Sequence, residues 1–335
     1  MAQLVEQRIR NAWVAGSSPA IGFFLLYPAV RANLHWESRL IALQYQEFLE
    51  TIKALVSVSV PEGTTVTLTQ VLKNNDTKRD ALCFQKKEED VSPTIYLEPF
   101  YRKYLGGEDP EELAGEVILM WEASVPEQSI DLTFFSDYEK VKKRLVYKLI
   151  SQKSNPALLA ETPYIPWLDL AIVFYCLLSE APEGNATILI KEKHLASWGV
   201  TKEALFEEAK RNTPFLLSPV VKDLKDMLPP GLLNIPPESA HVPPLYVLTN
   251  RLKMNGAACL LYDDLLKDFS EKHASDFYIL PSSVHEVLLL PAEGRKEDES
   301  LSAMVREVNR TQLSAEEFLS DHVYYYSRKE HALCV

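Results

Sequence analysis

Six prolines crowd into sixteen residues at Pro229, Pro230, Pro236, Pro237, Pro243 and Pro244. Proline fixes φ and has no N–H to give to a helix or a sheet ladder, so a stretch this dense is a stiff, extended connector. Residues 229–244 are therefore expected to link an N-terminal α+β domain at 45–228 to a C-terminal α+β unit at 245–335. The chain, at 335 residues, is long enough for two cores.

Local signals place elements on both sides of that connector. Phe48, Leu49, Ile52, Leu55 and Val56 recur at helical spacing and predict a helix from Tyr45 with one apolar face. Strand patterns follow at Thr65 to Leu72, Ala81 to Gln85 and Thr94 to Leu97, with turn residues between them. Asp109-Pro-Glu-Glu112 reads as a helix start, with Asp as N-cap, Pro at the first helical position and Glu at the third. The middle of the chain reads as a strand at 145–150, a short helix at 155–160, a long buried apolar run at 168–178, a turn at 182–185, a strand at 187–190, and helices at 194–198 and 202–212. After the prolines come a strand at 245–249, a helix opening near Asp263, strands at 277–280 and 286–290 joined by Pro281-Ser-Ser, a helix at 301–309 and a last strand at 323–326. The predicted fold class is α+β, mixed sheets with flanking helices. One order, strand-helix-strand-strand-helix, occurs in both parts and points to a duplicated unit.

Residues 1–44 differ from everything after them. Arg8, Arg10, Arg31 and Arg39 stand against Glu6 and Glu37, so this stretch carries +2 of a net charge of −12 and leaves −14 for the rest. It contains no Lys or Asp. Residues 1–23 resemble the translation of a transfer-RNA gene. Ala2 to Gln7 can be encoded by GCTCAGCTGGTAGAGCAA, a D-arm, and Ala15 to Ala20 by GCTGGTTCGAGTCCAGCC, a stem around a T-loop. The expectation is a spurious or disordered extension, with the start near Leu40 or Leu43.

The negative charge argues against a nucleic-acid partner or an anionic membrane surface, because contact with phosphates needs surplus Lys and Arg. No run approaches the roughly 18 apolar residues of a membrane span. Cys83, Cys176, Cys259 and Cys334 are far apart and read as reduced thiols, which fits a cytoplasmic protein. With 11 Gly there is no GxGxxG or GxxxxGK[ST] loop, and no cofactor is expected. No metal site is expected either, since Asp263 and Asp264 stand too far along a helix from His273 to share an ion with it. His194 beside Trp198 reads as packing, Tyr324-Tyr-Tyr326 as strand, and Lys142, Lys143, Arg144 and Lys148 as a solvated face. The best chemical cluster is Ser282-Ser283-Val284-His285-Glu286. There His285 could act as a base beside Ser283, oriented by Glu286. A polar hairpin whose hydroxyls satisfy turn backbone groups is the competing reading.

Segments from Tyr45 to Arg328 resemble an uncharacterised domain-of-unknown-function family of anaerobic gut bacteria. They include VLKNN at 71–75, SPTIYLEPFY at 92–101, LDLAIVFYCLL at 168–178, ATILIKEKHLASWGV at 186–200, NGAACLLY at 255–262, DFYILPSSVHEVLLLP at 276–291 and REVNRTQLSAEEFLSDHVYYY at 306–326. The resemblance implies a bacterial cytoplasmic origin and carries no catalytic residue over. The absence of a convergent acid/base or ligand set, with the acidic charge, leads to the expectation of a binding or regulatory module acting on a protein partner, with strands such as EVLLLP offering an edge. The alternative is a hydrolase using Ser283, His285 and Glu286.

Overall fold

The computed structural model of the chain describes residues 33–86, 93–125, 133–181, 184–227, 244–292 and 299–334. Residues 1–32, which hold the transfer-RNA-like stretch, lie outside the described residues, as does almost all of the proline segment. The chain divides into two compact units: a smaller one ending at Thr133, and a larger one of Phe134–Val335 that also takes in Asn74–Asp76.

In the smaller unit, helix α1 (Asn33–Ser59) runs through residue 44, so the change of composition there is not a break in secondary structure. Its Phe48, Leu49, Ile52 and Val56 are buried in the unit's core. Strands β1 (Thr64–Leu72), β2 (Lys78–Lys86) and β3 (Thr94–Tyr96) form an antiparallel sheet in that order. Helix α2 (Glu98–Leu105) follows, then α3 (Pro110–Ser124). The expected cap is present: the Asp109 carboxylate accepts the Glu111 N–H at 2.8 Å. The buried face of α3 ends in Trp121, whose ring stacks on Phe84 with centroids 4.8 Å apart.

After a short helical stretch that includes Tyr138–Val141, the larger unit runs through β4 (Leu145–Ser151), the one-turn helix α4 (Pro156–Leu159), β5 (Tyr164–Trp167), β6 (Leu170–Ala181) and β7 (Gly184–Leu189). Both β4 and β5 pair with β6, giving the order β4-β6-β5, and β7 also pairs with β6. Leu170, Ile172, Phe174 and Cys176 of β6 face one core cluster, and Tyr175 and Leu177 face another. Cover on both sides of the strand explains why its sequence is continuously apolar rather than alternating. Helices α5 (Glu192–Trp198) and α6 (Lys202–Leu216) come next, and the Thr201 hydroxyl accepts the Ala204 N–H at the start of α6.

A second, six-stranded sheet contains β8 (Pro219–Asp223), β9 (Tyr246–Asn250), β10 (Phe277–Ser283), β11 (Glu286–Pro291), β12 (Tyr324–Ser327) and β13 (Ala332–Cys334), in the order β13-β12-β10-β11-β9-β8. Between β9 and β10 lie the 3-10 segment Gly256–Leu261 and helix α7 (Leu265–His273). Helix α8 (Glu299–Gln312) precedes β12.

Three expectations need correction. The strands flanking the proline segment, β8 and β9, are antiparallel neighbours over Pro219↔Asn250 to Asp223↔Tyr246, so the segment bridges two strands of one sheet. The division into compact units falls near residue 133 instead. Second, the sheets are not mixed: every ladder between described strands is antiparallel. Third, EVLLLP is no edge, because β11 lies between β10 and β9.

The expected repeat, with 168–178 and 187–190 as its second and third strands, is not the one the sheets show; a repeat appears when β5 is counted. The β4-α4-β5-β6 stretch pairs first with third and third with second, and β9, α7, β10 and β11 do the same. In each copy a two-residue turn joins the second strand to the third, at Leu168–Asp169 and at Val284–His285. Among the described residues no helix is long and apolar enough to cross a membrane.

Candidate functional site

The 282–286 cluster sits where β10 turns into β11. Pro281-Ser-Ser is part of β10 rather than the connection, and the ladder shifts register between Pro281 and Ser283. A proline with no N–H is tolerated at such an irregularity. Ser283 and Glu286 face each other across the turn, both buried, with relative exposures of 2% and 4%. The Ser283 hydroxyl accepts the His285 N–H at 3.1 Å. His285 Nδ1 accepts the Asn255 N–H at 3.1 Å. A neutral imidazole accepting at Nδ1 carries its proton on Nε2, so neither nitrogen of His285 in this state is available to take a proton from Ser283. Ser282 and Glu286 approach at 3.5 Å. These residues form a hydrogen-bonded turn, braced further by the Thr249 hydroxyl donating to the His285 carbonyl at 2.8 Å.

The other sites weighed in the sequence disperse. Lys210 pairs with Asp263 at 3.1 Å, while His273 lies against Tyr246 and Phe269. No metal-holding group occurs among the described residues. His194 accepts the Lys191 N–H through Nδ1 and packs against Phe135 and Trp198; burial, then Lys193 and Lys191, lowers its pKa. Lys142 pairs with Glu139 at 2.6 Å, and Arg144 lies over the Phe134 ring.

A denser polar cluster escaped the sequence reading. Asp169, on the β5–β6 turn, accepts hydrogen bonds from the Ser320 hydroxyl at 2.6 Å and the Tyr324 hydroxyl at 2.6 Å. His322 Nδ1 is 3.0 Å from the same carboxylate. Burial pushes the Asp169 pKa up, but the hydrogen bonds from Ser320, Tyr324 and His322 outweigh it, so the net shift is downward. An ionised carboxylate can only accept, so the His322 Nδ1 facing it carries a proton. Leu168, beside Asp169 in the turn, has φ of 52°, a left-handed conformation that a leucine rarely adopts. The available signal was a two-residue connection between two apolar strands; nothing local ties it to residues 320–324.

The third feature is a groove beside helix α7. An open cavity of ≈ 350 Å³ is lined by apolar side chains, among them Trp167, Leu266 and Leu333, and also by the charged Asp263, Asp264 and Lys267. A second, of ≈ 590 Å³, is walled by Glu271, Asp276, Arg328 and Lys329, and both touch His331. Both cavities carry charged side chains, and α7, at nine residues about 13 Å long, contributes to both. Its opposite wall is the β12–β13 hairpin. Strand β13 ends the sheet order, and its outer edge pairs with no described strand.

A model of a family of unknown function, DUF5688, matches residues 45–328. No curated protein and no solved structure matches the chain. The match begins next to the change of composition at residue 44.

Proposed function

We propose, on the premise that the chain belongs to DUF5688, a family of unknown function, that it is a non-catalytic binding or regulatory module of the bacterial cytoplasm acting on a protein partner. The observation that carries this reading is the edge of β13, unpaired among the described strands, beside a cavity lined in part by Trp167, Tyr326 and Leu333. Exposed strand edges recruit other strands, and natural sheets commonly blunt or cover them. The net charge of −12 directs the choice of partner away from nucleic acid. The hydrolase alternative gains nothing from the turn at 282–286, where Ser283 and His285 are engaged with backbone groups.

Chemical cross-linking in the native host, followed by affinity purification of the full chain, tests the proposal. The expected result is a cross-link from β13 or α7 to one recurrent protein. A chain that cross-links to nothing in the host counts against it. The gut-anaerobe origin and the reading of residues 1–23 as transfer-RNA-like belong to the same proposal. The first is supported by the family-like segments between residues 45 and 328, the second by the lack of Lys and Asp before residue 45. A native peptide covering Gln7 to Trp13 would sink the second.

A further inference from the structure

We propose that His322 is a phosphoryl-acceptor site: its Nε2 takes a phosphoryl group from a donor of the phosphoramidate class, and Asp169 is the positioning residue that orients the ring. This goes beyond the partner-binding reading and does not rest on it.

The dyad supplies the first part of the argument. His322 Nδ1 lies 3.0 Å from the Asp169 carboxylate, on which the Ser320 and Tyr324 hydroxyls also converge, each at 2.6 Å. The His322 N–H donates to the Ser320 hydroxyl at 2.9 Å, so the ring and the backbone of this histidine are tied to one cluster. The three hydrogen bonds lower the Asp169 pKa despite its burial; the carboxylate is ionised at neutral pH and holds the ring proton on Nδ1. In the neutral imidazole the lone pair is then on Nε2. The side chain is 59% exposed, and its hydrogen bonds among the described residues leave Nε2 without a partner. A carboxylate on one ring nitrogen fixes the tautomer and raises the basicity of the other, as ligands and nucleophiles require. No group of metal ligands gathers among the described residues, so the geometry favours the nucleophile. Ser320 lies 3.5 Å from the same Nδ1, the wrong nitrogen for a serine activated by the ring.

Other histidines supply the contrast. His194 and His285 each accept a backbone N–H at Nδ1, so in their neutral state the proton is on Nε2 and no lone pair is left for an electrophile. His331 is exposed like His322, but no carboxylate pairs with it among the described residues. The reaction needs no redox partner. The Nε2 lone pair forms a bond to phosphorus, the P–N bond of the donor breaks, and its electron pair leaves with the amine. Nδ1 keeps its proton, and the positive charge gained by the ring faces the ionised Asp169.

Potassium phosphoramidate added to the full-length protein tests this directly. Tandem mass spectrometry at alkaline pH locates the phosphorylated histidines, and phosphorus NMR identifies the nitrogen. His322 should be phosphorylated on Nε2 at least about tenfold faster than His331, the exposed histidine without a carboxylate. His322→Gln should abolish the fast phase. Asp169→Asn, assayed where circular dichroism shows it folded, should slow His322 to the rate of His331. Tyr324→Phe removes one donor to the carboxylate but keeps the dyad, and should retain the fast rate. Loss of that rate in Tyr324→Phe as severe as in Asp169→Asn overturns the role of the dyad. A rate at His322 no greater than at His331, or phosphoryl on Nδ1, overturns the acceptor site. Neither result touches the partner-binding reading, which is tested by cross-linking.

Discussion

Tyr324 donates its hydroxyl hydrogen to Asp169 at 2.6 Å, joining positions 155 residues apart in the chain. Tyr324 is fully buried at the start of β12, and Asp169 occupies a tight turn between two other strands. The bond fastens the turn of the first strand repeat to the C-terminal part of the larger unit, and Ser320 and His322 converge on the same carboxylate.

Asp169 should make stability depend on acid. Its folded pKa lies below that of the unfolded chain, so its contribution is present above the unfolded value of about 3.9 and is lost as pH falls through the folded value. Asp169→Asn should lower stability by roughly 2–3 kcal/mol at neutral pH and flatten the decline between about pH 5 and pH 3. Urea unfolding of both proteins across that range checks it; parallel curves would refute the assignment.

Gly256 is the position least able to accept a side chain. A Cβ there would run into the Thr249 hydroxyl and the His285 carbonyl, and would lie 2.9 Å from the Asn250 N. Since Thr249 and His285 already bond to each other, neither can retreat without breaking that bond. Gly256→Ala should destabilise by about 1–3 kcal/mol or more, measured as a fall in the denaturant midpoint. An unchanged midpoint would mean that the segment lies further from the turn.

Asn155 has no exposed surface, and its amide is fully used. Its carbonyl accepts the Asn75 N–H at 2.7 Å, and its amino group donates to Asn75 Oδ1 at 2.9 Å and to the Ser151 carbonyl at 2.7 Å. Asn155→Ala should cost about 2–4 kcal/mol, because it leaves a buried donor and acceptor unpaired. Asn155→Leu should be no better, and hydrogen exchange at the Asn75 amide should speed up in both.

Ser283 should behave as a turn residue. Removing its hydroxyl in Ser283→Ala leaves the His285 N–H unsatisfied and should lower stability by about 1 kcal/mol. Hydrolysis of activated esters by the purified protein, at whatever background rate, should be the same in Ser283→Ala, His285→Ala and wild type. A selective loss in either variant would restore the hydrolase reading.

Much of the secondary structure was legible because its causes are local. The Asp109 cap, the Thr201 cap and the apolar stripe from Phe48 to Val56 act over one or two helical turns, and each was found where the residues place it. The short strands β5, β8 and β13 were missed, since four, five and three residues carry too little pattern. The turn at 282–286 was legible as composition but not as geometry: only the hydrogen bonds decide that Ser283 and His285 serve the backbone.

By itself the sequence determined the α+β class and the helix starts capped by Asp109 and Thr201, consequences of spacing within a few residues. Tertiary structure decided that the strands flanking the prolines pair with each other, that EVLLLP is enclosed rather than free, and that Asp169 meets Ser320, His322 and Tyr324. Strand order follows from which faces can be buried together, and that depends on the whole sheet. A hydrogen bond between side chains more than 150 positions apart leaves no periodicity in the chain that a reader could follow.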